Sequence, residues 1–195
     1  MMLKINLTPF PTLHTDRLIL RRITPEDTLD FFAIRSNKEI MSAIDKNPIE
    51  TIAETESFMK LIEDGINDNT GIAWAVCLKE NNRMIGHFGF HRIDFENHRT
   101  EIGYALLPQF QGLGLANEGI KAILECGFMQ LGFHSTEADV NPINNASIGL
   151  LLKKGFVKEA YFKENYFFNG VFLDSTIFSL LKKDYLSNVN NEPTI

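Results

Sequence analysis

The chain has 195 residues, 44% of them apolar, and carries 25 aspartates and glutamates against 19 lysines and arginines, a net charge of −6. That length fits one domain with one core, and the acidic balance argues against a general nucleic-acid binder, which shows a basic excess. No apolar run approaches the roughly 18 residues of a membrane span, the start "MMLKINLTPFPTLHTD" carries no secretory stretch, and Cys77 and Cys126 form no C-x-x-C pair. The expectation is a single cytoplasmic domain over 1–195, with an ordered core over about 12–185 and a frayed tail over 187–195. It is expected to bind neither nucleic acid nor membrane, as a monomer or homodimer.

In chain order, "DRLILRRI" (16–23) alternates like a strand. "TPEDTLDFFAIRS" then opens a helix, with Thr24 as N-cap, Pro25 in the first turn and Glu26 and Asp27 at its positive end. A second helix is expected from about Glu50 to Asn67, with Thr55, Phe58, Ile62 and Ile66 on one stripe. "GIAWAVCLKE" changes period. Ile72, Trp74, Val76 and Leu78 point one way and Ala73, Ala75 and Cys77 the other, so Trp74 reads as core. After a tight turn, 84–94 forms the partner strand and "TEIGYALL" a further one. A helix follows to about Leu131, then a strand over 135–141 and a helix ended by Gly155. Asn169-Gly170 marks a hairpin between two β-rich runs. The order implies an α+β fold, helices on both faces of a mixed, mostly antiparallel sheet of about seven strands, with one helical crossover.

The stretch "PQFQGLGLANEG" (108–119) puts two glycines between a strand and a helix N-terminus. Converging backbone N–H groups and the helix dipole make such a place an anion site, and glycine removes the Cβ atoms that would hold an anion away. A P-loop is excluded because the chain contains no Gly-Lys pair. A dinucleotide fingerprint lacks its third glycine, since Asn117 stands there, although Glu137 and Asp139 lie where a ribose-binding acid would. A plain turn followed by a helix cap also fits the loop alone.

Gln111-Gly112-Leu113-Gly114-Leu115-Ala116 resembles Q/R-x-x-G-x-G/A, the acetyl-CoA pyrophosphate loop of the GNAT N-acetyltransferase superfamily. "EIGYALLP" (101–108) is similar to the strand before that loop. "NPINNASIGLLLKKGF" (141–156) resembles N-x-x-S-x-x-x-x-x-K-x-G-F of the branch that acetylates ribosomal-protein N-termini. "TDRLILRRI" and "NGVFLDSTIFSLLKKDY" are also similar to that branch, so the likeness covers about residues 12–185 in order.

The resemblance implies a three-layer α/β/α fold with a central splay, and acetyl-CoA as cosubstrate. The strands at 101–107 and 135–141 would run parallel and diverge, with the pantetheine arm along Tyr104, Ala105 and Leu106. Pro108 would help stop pairing there. Amides of Gly112 to Ala116 would grip the pyrophosphate, and a backbone N–H near Leu106 would polarise the thioester carbonyl. Many members place a thiolate-protonating tyrosine where this chain has Leu151. The branch offers Ser147 instead, with Asn144 orienting CoA, although Asn144 and Ser147 also suit the opening of a helix. Glu101 is the candidate base, directly or through water, while Glu118 fits a dipole partner. His87 and His91 share a strand face near His98, without the H-E-x-x-H or Cys/His pattern of a metal site, and either could line the acceptor pocket. The first two helices, roughly 25–69, would wall the acceptor side. A protein N-terminus is the leading acceptor, with polyamines, amino sugars and amino-acid derivatives as alternatives. A non-catalytic acyl-CoA-binding module is the reading from another class.

Overall fold

A computed structural model describes residues 2–191, with side chains to Val189. Eight strands form one sheet, in the order β1-β2-β3-β4-β5-β6-β8-β7. The strands are β1 (Leu13–His14), β2 (Leu18–Arg21), β3 (Ile72–Leu78), β4 (Met84–Asp94), β5 (Arg99–Leu106), β6 (Ser135–Val140), β7 (Val157–Phe168) and β8 (Val171–Leu181). The strand added to the expected seven is β1, whose two residues are too few to show a period. Every pairing is antiparallel except β5 with β6.

The helices are α1 (Thr28–Arg35), α2 (Lys38–Ala43), α3 (Ile52–Asn67), α4 (Leu115–Glu125), α5 (Asn145–Lys153) and α6 (Lys182–Asn191). The helix expected from Thr24 begins as a 3-10 turn, Pro25–Asp27, in which the Asp27 carboxylate accepts from the Thr24 N–H at 2.8 Å. Thr51 caps α3 by accepting from the Glu54 N–H. α4 continues into a π-helical turn, Cys126–Gln130, where a uniform helix to Leu131 was expected. Ser187 to Asn191, expected to fray, belong to α6, and residues 192–195 lie outside the described residues.

The alternation of β3 assigns the two faces. Ile72, Trp74 and Val76 join Phe88, Phe90, Ile102 and Leu106 in a core covered by Ile120, Ile123 and Leu124 of α4 and Leu151 of α5. Ala75 and Cys77 face the other way, with Ala105, under Phe31 and Ile34 of α1 and Ile40 and Met41 of α2. Trp74 is fully buried, and its indole N–H donates to the Pro11 carbonyl at 2.7 Å, so the apolar ring carries no unpaired donor. Cys77 and Cys126 are free and buried, and burial pushes the Cys77 thiol up to about 11. The β7–β8 turn has Asn169 at φ 47° and Gly170 at φ 86°, the left-handed pair that a two-residue hairpin requires. No helix among the described residues is long and apolar enough to cross a membrane.

Candidate active site

The loop after β5 is shaped by two left-handed glycines. Gly112 has φ 73° and Gly114 φ 79°, and Gly114 is the N-cap of α4. The first backbone bond of the helix runs from the Glu118 N–H to the Gly114 carbonyl at 3.1 Å. Among the described residues, no hydrogen bond uses the N–H groups of Gly112, Leu113, Gly114, Leu115 or Ala116. Five successive amides are thus left at the positive end of a helix, and a Cβ at Gly112 would meet nothing within 4 Å. Leu113 points outward and Leu115 anchors in the core.

Two side chains hold this loop. Gln111 donates from Nε2 to the Leu106 carbonyl at 2.8 Å, tying the loop to the end of β5. Arg17 donates to the Leu113 carbonyl at 2.9 Å and to Glu118 Oε2 at 2.7 Å. Glu118 also accepts from the Thr15 hydroxyl and the Arg17 N–H. Burial would raise the Glu118 pKa, but Thr15 and Arg17 more than offset that and hold it below the usual carboxylate range. Glu118 is therefore a structural anion that fastens α4 to the β1–β2 corner. Arg17→Ala frees Leu113 and Glu118 together. It is expected to weaken acetyl-CoA binding by about threefold to tenfold in calorimetry, with kcat unchanged; an unaltered affinity would show that the loop keeps its shape without Arg17.

Beside the loop, the parallel pair comes apart. β5 and β6 pair only through Arg99↔Ser135, Thr100↔Thr136 and Glu101↔Glu137. Beyond that, β5 stays on β4 as far as Gly86↔Leu106, and β6 stays on β8 as far as Val140↔Thr176. Each strand follows its outer neighbour, and a wedge opens between them. The Leu107 N–H donates to the Ile85 carbonyl, so the alternation of an antiparallel ladder turns the backbone groups of Tyr104 and Leu106 away from β4 and into the wedge. Gln111 occupies the Leu106 carbonyl, and among the described residues no hydrogen bond uses the Leu106 N–H.

Tyr104 and Ser147 meet at this wedge. The Tyr104 hydroxyl and Ser147 Oγ are 2.7 Å apart, and burial pushes the tyrosine up to about 12 despite the serine contact. The Ser147 N–H donates to Asn144 Oδ1 at 3.0 Å, and Asn144 Nδ2 donates to the Ala43 carbonyl at 2.8 Å. Asn144 therefore caps α5 and links it to the end of α2, with both ends of its amide engaged inside the protein. Leu151 is fully buried in the core. The tyrosine hydroxyl beside Ser147 is that of Tyr104 on β5.

Residues 17–157 match the acetyltransferase (GNAT) domain family. The chain belongs to the GNAT acetyltransferases. It is 35% identical over 173 residues, 89% of this chain and 98% of the relative, to an uncharacterized N-acetyltransferase, YoaA, of Bacillus subtilis (strain 168). A spermidine N-acetyltransferase from Vibrio cholerae, solved with CoA and spermine, is similar with a TM-score of 0.78 at 27% identity, covering 87% of this chain and 98% of that one. A ribosomal-protein-S5-alanine acetyltransferase from Vibrio fischeri has the same TM-score of 0.78 at 20% identity, covering 90% and 98%, and shows the fold alone. The protein is an acetyl-CoA-dependent N-acetyltransferase. Relatives named for a polyamine and for a ribosomal protein are alike in fold to this GNAT chain, so the comparisons give the family and not the ribosomal branch.

The opposite face of the wedge is acidic. Glu101 accepts from Arg92 at 2.8 Å and lies 3.2 Å from His91 Nε2. Burial would raise its pKa, but His91 and then Arg92 more than offset that and lower it. Asp139 on β6 is raised, by burial first and then by the charge of Glu101. Further out, the Asn141 amide and the Tyr166 hydroxyl both bond the Asp45 carboxylate, so the segment after α2 is tied to β6 and β7. A shallow recess lined by Glu39, Ser42, Ala43, Asn141 and Asn144 lies at that junction, outside the wedge itself. Of the histidines, His91 sits on Glu101, His87 packs against Phe31 with ring centroids 5.1 Å apart, and the His98 carbonyl accepts from the His134 N–H. Among the described residues no group of three or more His, Cys, Asp or Glu is placed to hold a metal ion.

Sequence reading missed Arg17, the Tyr104–Ser147 contact and the partners of Glu101. For Tyr104 there was a signal. It shares the core face of "EIGYALLP" with Ile102 and Leu106, and a buried tyrosine hydroxyl needs a polar partner. Arg17 gave none, because Glu118 is 101 positions away.

Proposed function

We propose that this enzyme transfers the acetyl group to an α-amino group, of the kind found at a protein N-terminus or on an amino-acid derivative. The observation that carries the reading is the joint placement of five free amides, an open wedge and the Tyr104–Ser147 pair. The amides from Gly112 to Ala116 hold the pyrophosphate, and Tyr104, Ala105 and Leu106 border the pantetheine. Acetyl-CoA supplies the thioester. The amine lone pair attacks its carbonyl carbon while the Leu106 N–H donates to the carbonyl oxygen as charge develops there, an interaction worth about 3 kcal/mol in comparable sites. The C–S bond then breaks; Ser147, itself hydrogen-bonded to Tyr104, gives the sulfur a proton, and the proton shed by the acylated nitrogen returns through water to restore the serine hydroxyl. Tyr104 keeps its own proton at neutral pH because its pKa is pushed up to about 12.

The class of amine follows from the weakness of Glu101 as a base. Glu101 is held ionised by His91 and Arg92, so it attracts a cation and orders water but has little affinity for a proton. The amine must then supply its own neutral fraction. An α-amine, with pKa near 8, is about 10% neutral at pH 7, whereas an amine near 10.4 is less than about 0.1% neutral. A ribosomal-protein N-terminus, indicated by the resemblance of residues 141–156, is one such α-amine. The rate is expected to rise with pH until the amine is neutral, near pH 8. Glu101→Gln is expected to lower kcat/KM for the acceptor about tenfold, leaving acetyl-CoA affinity and the shape of that profile unchanged, because Glu101 is already ionised throughout that range. Release of CoA thiol across peptides and small amines tests the reading. Acetyl-CoA binding without thiol release from any amine would make the chain an acyl-CoA-binding module instead.

A further inference from the structure

The face of the sheet under α1 and α3 holds an uncompensated positive charge. Arg35, the last residue of α1, stacks on Phe58 with its guanidinium carbon 4.6 Å from the ring centroid. Its Nε is sealed from solvent without a hydrogen-bond partner. Among the described residues no ion pair or side-chain hydrogen bond uses its terminal nitrogens, which are not sealed from solvent. Burial lowers its pKa, and no carboxylate acts in the other direction. His87 lies next to it, half-buried, with its Nε2 also sealed and unpartnered, and burial together with Arg35 keeps the imidazole neutral. A half-buried guanidinium with its Nε sealed and unpaired, its terminal nitrogens open and no counter-anion beside it is costly, and such cost is typical of a binding site before its ligand arrives.

Its position is at the acceptor side of the wedge. Phe31, one helical turn before Arg35, packs on both His87 and Phe58. His87 pairs across the sheet with Ala105, and the next row toward Glu101 is Gly89↔Gly103, where neither strand carries a side chain. α2 begins just after Arg35 and ends at Ala43, whose carbonyl is bonded to Asn144 beside Ser147. Arg35 therefore lies beside His87, on the β4 row that pairs with Ala105 at the edge of the wedge, and α2 joins the end of α1 to Asn144 next to Ser147.

We propose that the terminal nitrogens of Arg35 bind a carboxylate of the acceptor whose amine is acetylated at the wedge. This inference rests on the N-acetyltransferase reading above and adds an anionic group to its acceptor. The acceptor is thus zwitterionic, with its ammonium drawn by Glu101 and Asp139 and its carboxylate held by Arg35. A planar guanidinium takes both carboxylate oxygens at once, which fixes the amine's direction as well as its distance. Two sources can supply that carboxylate, the C-terminus of a dipeptide and the side chain of an N-terminal acidic residue.

Matched pairs separate them. Thiol release is compared for Ala-Ala and its C-terminal amide, and for Glu-Ala amide and Gln-Ala amide. The charged member of one pair is expected to show at least a tenfold lower KM at similar kcat, and Arg35→Met, which keeps the apolar stem, should remove that preference. A second measurement does not depend on turnover: calorimetry with the acetylated products, acetyl-Ala-Ala and acetyl-Glu-Ala amide, against their neutral counterparts. Binding of a charged product that is lost in Arg35→Met supports the site even if no thiol is released, in which case the catalytic reading alone fails. Equal KM and equal product binding for charged and neutral members, or a preference that survives in Arg35→Met, would overturn the inference and leave the acetyltransferase reading intact. Should Arg35→Met not fold, the wild-type ratio decides alone.

Discussion

Gly114→Val is expected to weaken acetyl-CoA binding about 100-fold, a loss of about 3 kcal/mol. At φ 79° a β-branched residue clashes with its own backbone, at a cost of roughly 1–2 kcal/mol, which the chain relieves by turning the N-cap away from this conformation. That turn redirects the amides of Gly114 and Leu115 from the point where they converge, and charge-assisted bonds of this kind contribute about 1.5–3 kcal/mol each. The new Cβ also sits 3.4 Å from Arg17 Nη2, so the clamp on Leu113 must give as well. Gly114→Asn is the control, because asparagine tolerates the left-handed region, and it should lose less than about tenfold. Calorimetry with acetyl-CoA, alongside thermal melting to confirm folding, reads both. Wild-type affinity in the folded valine variant would remove the loop from the cofactor site.

The second large effect concerns the leaving group. Ser147→Ala and Tyr104→Phe are each expected to lower kcat by about 100-fold, within the usual range for removing a positioned acid, while the dissociation constant for acetyl-CoA changes less than about threefold. If the two hydroxyls act as one unit at 2.7 Å, the double variant should be little worse than either single one. Additive losses would mean separate roles. A purely structural role for the contact would instead move the melting temperature and leave kcat alone. The tyrosine's pKa of about 12 means that no alkaline fall in rate from Tyr104 is expected below about pH 11.

Much of the fold was legible because its signals are local. The β3 alternation sorted Trp74 and Ala75 onto opposite faces, Asn169-Gly170 marked its hairpin, and the bounds expected for β4 are the observed Met84–Asp94. α2 was missed because its six residues offer only Ile40 and Met41 to the core, too short a run to display a helical period. α6 was missed because its polar composition signals an exposed tail, while among its described side chains only Tyr185 is buried. The π-helical turn after α4 gave no sign in the apolar spacing.

The sequence by itself determined the candidate cofactor loop, since glycines at a helix start dictate where free amides converge, and it determined the inward face of β3 and of α4. Only the tertiary structure decided what those residues meet. Tyr104 and Ser147 are 43 positions apart, and Arg17 and Glu118 are 101 apart. Whether Arg35 has a carboxylate partner depends on the packing of α1 against α3. Backbone conformation is set by neighbours along the chain, whereas pairing and desolvation of charge depend on neighbours in space, which the order of residues does not state.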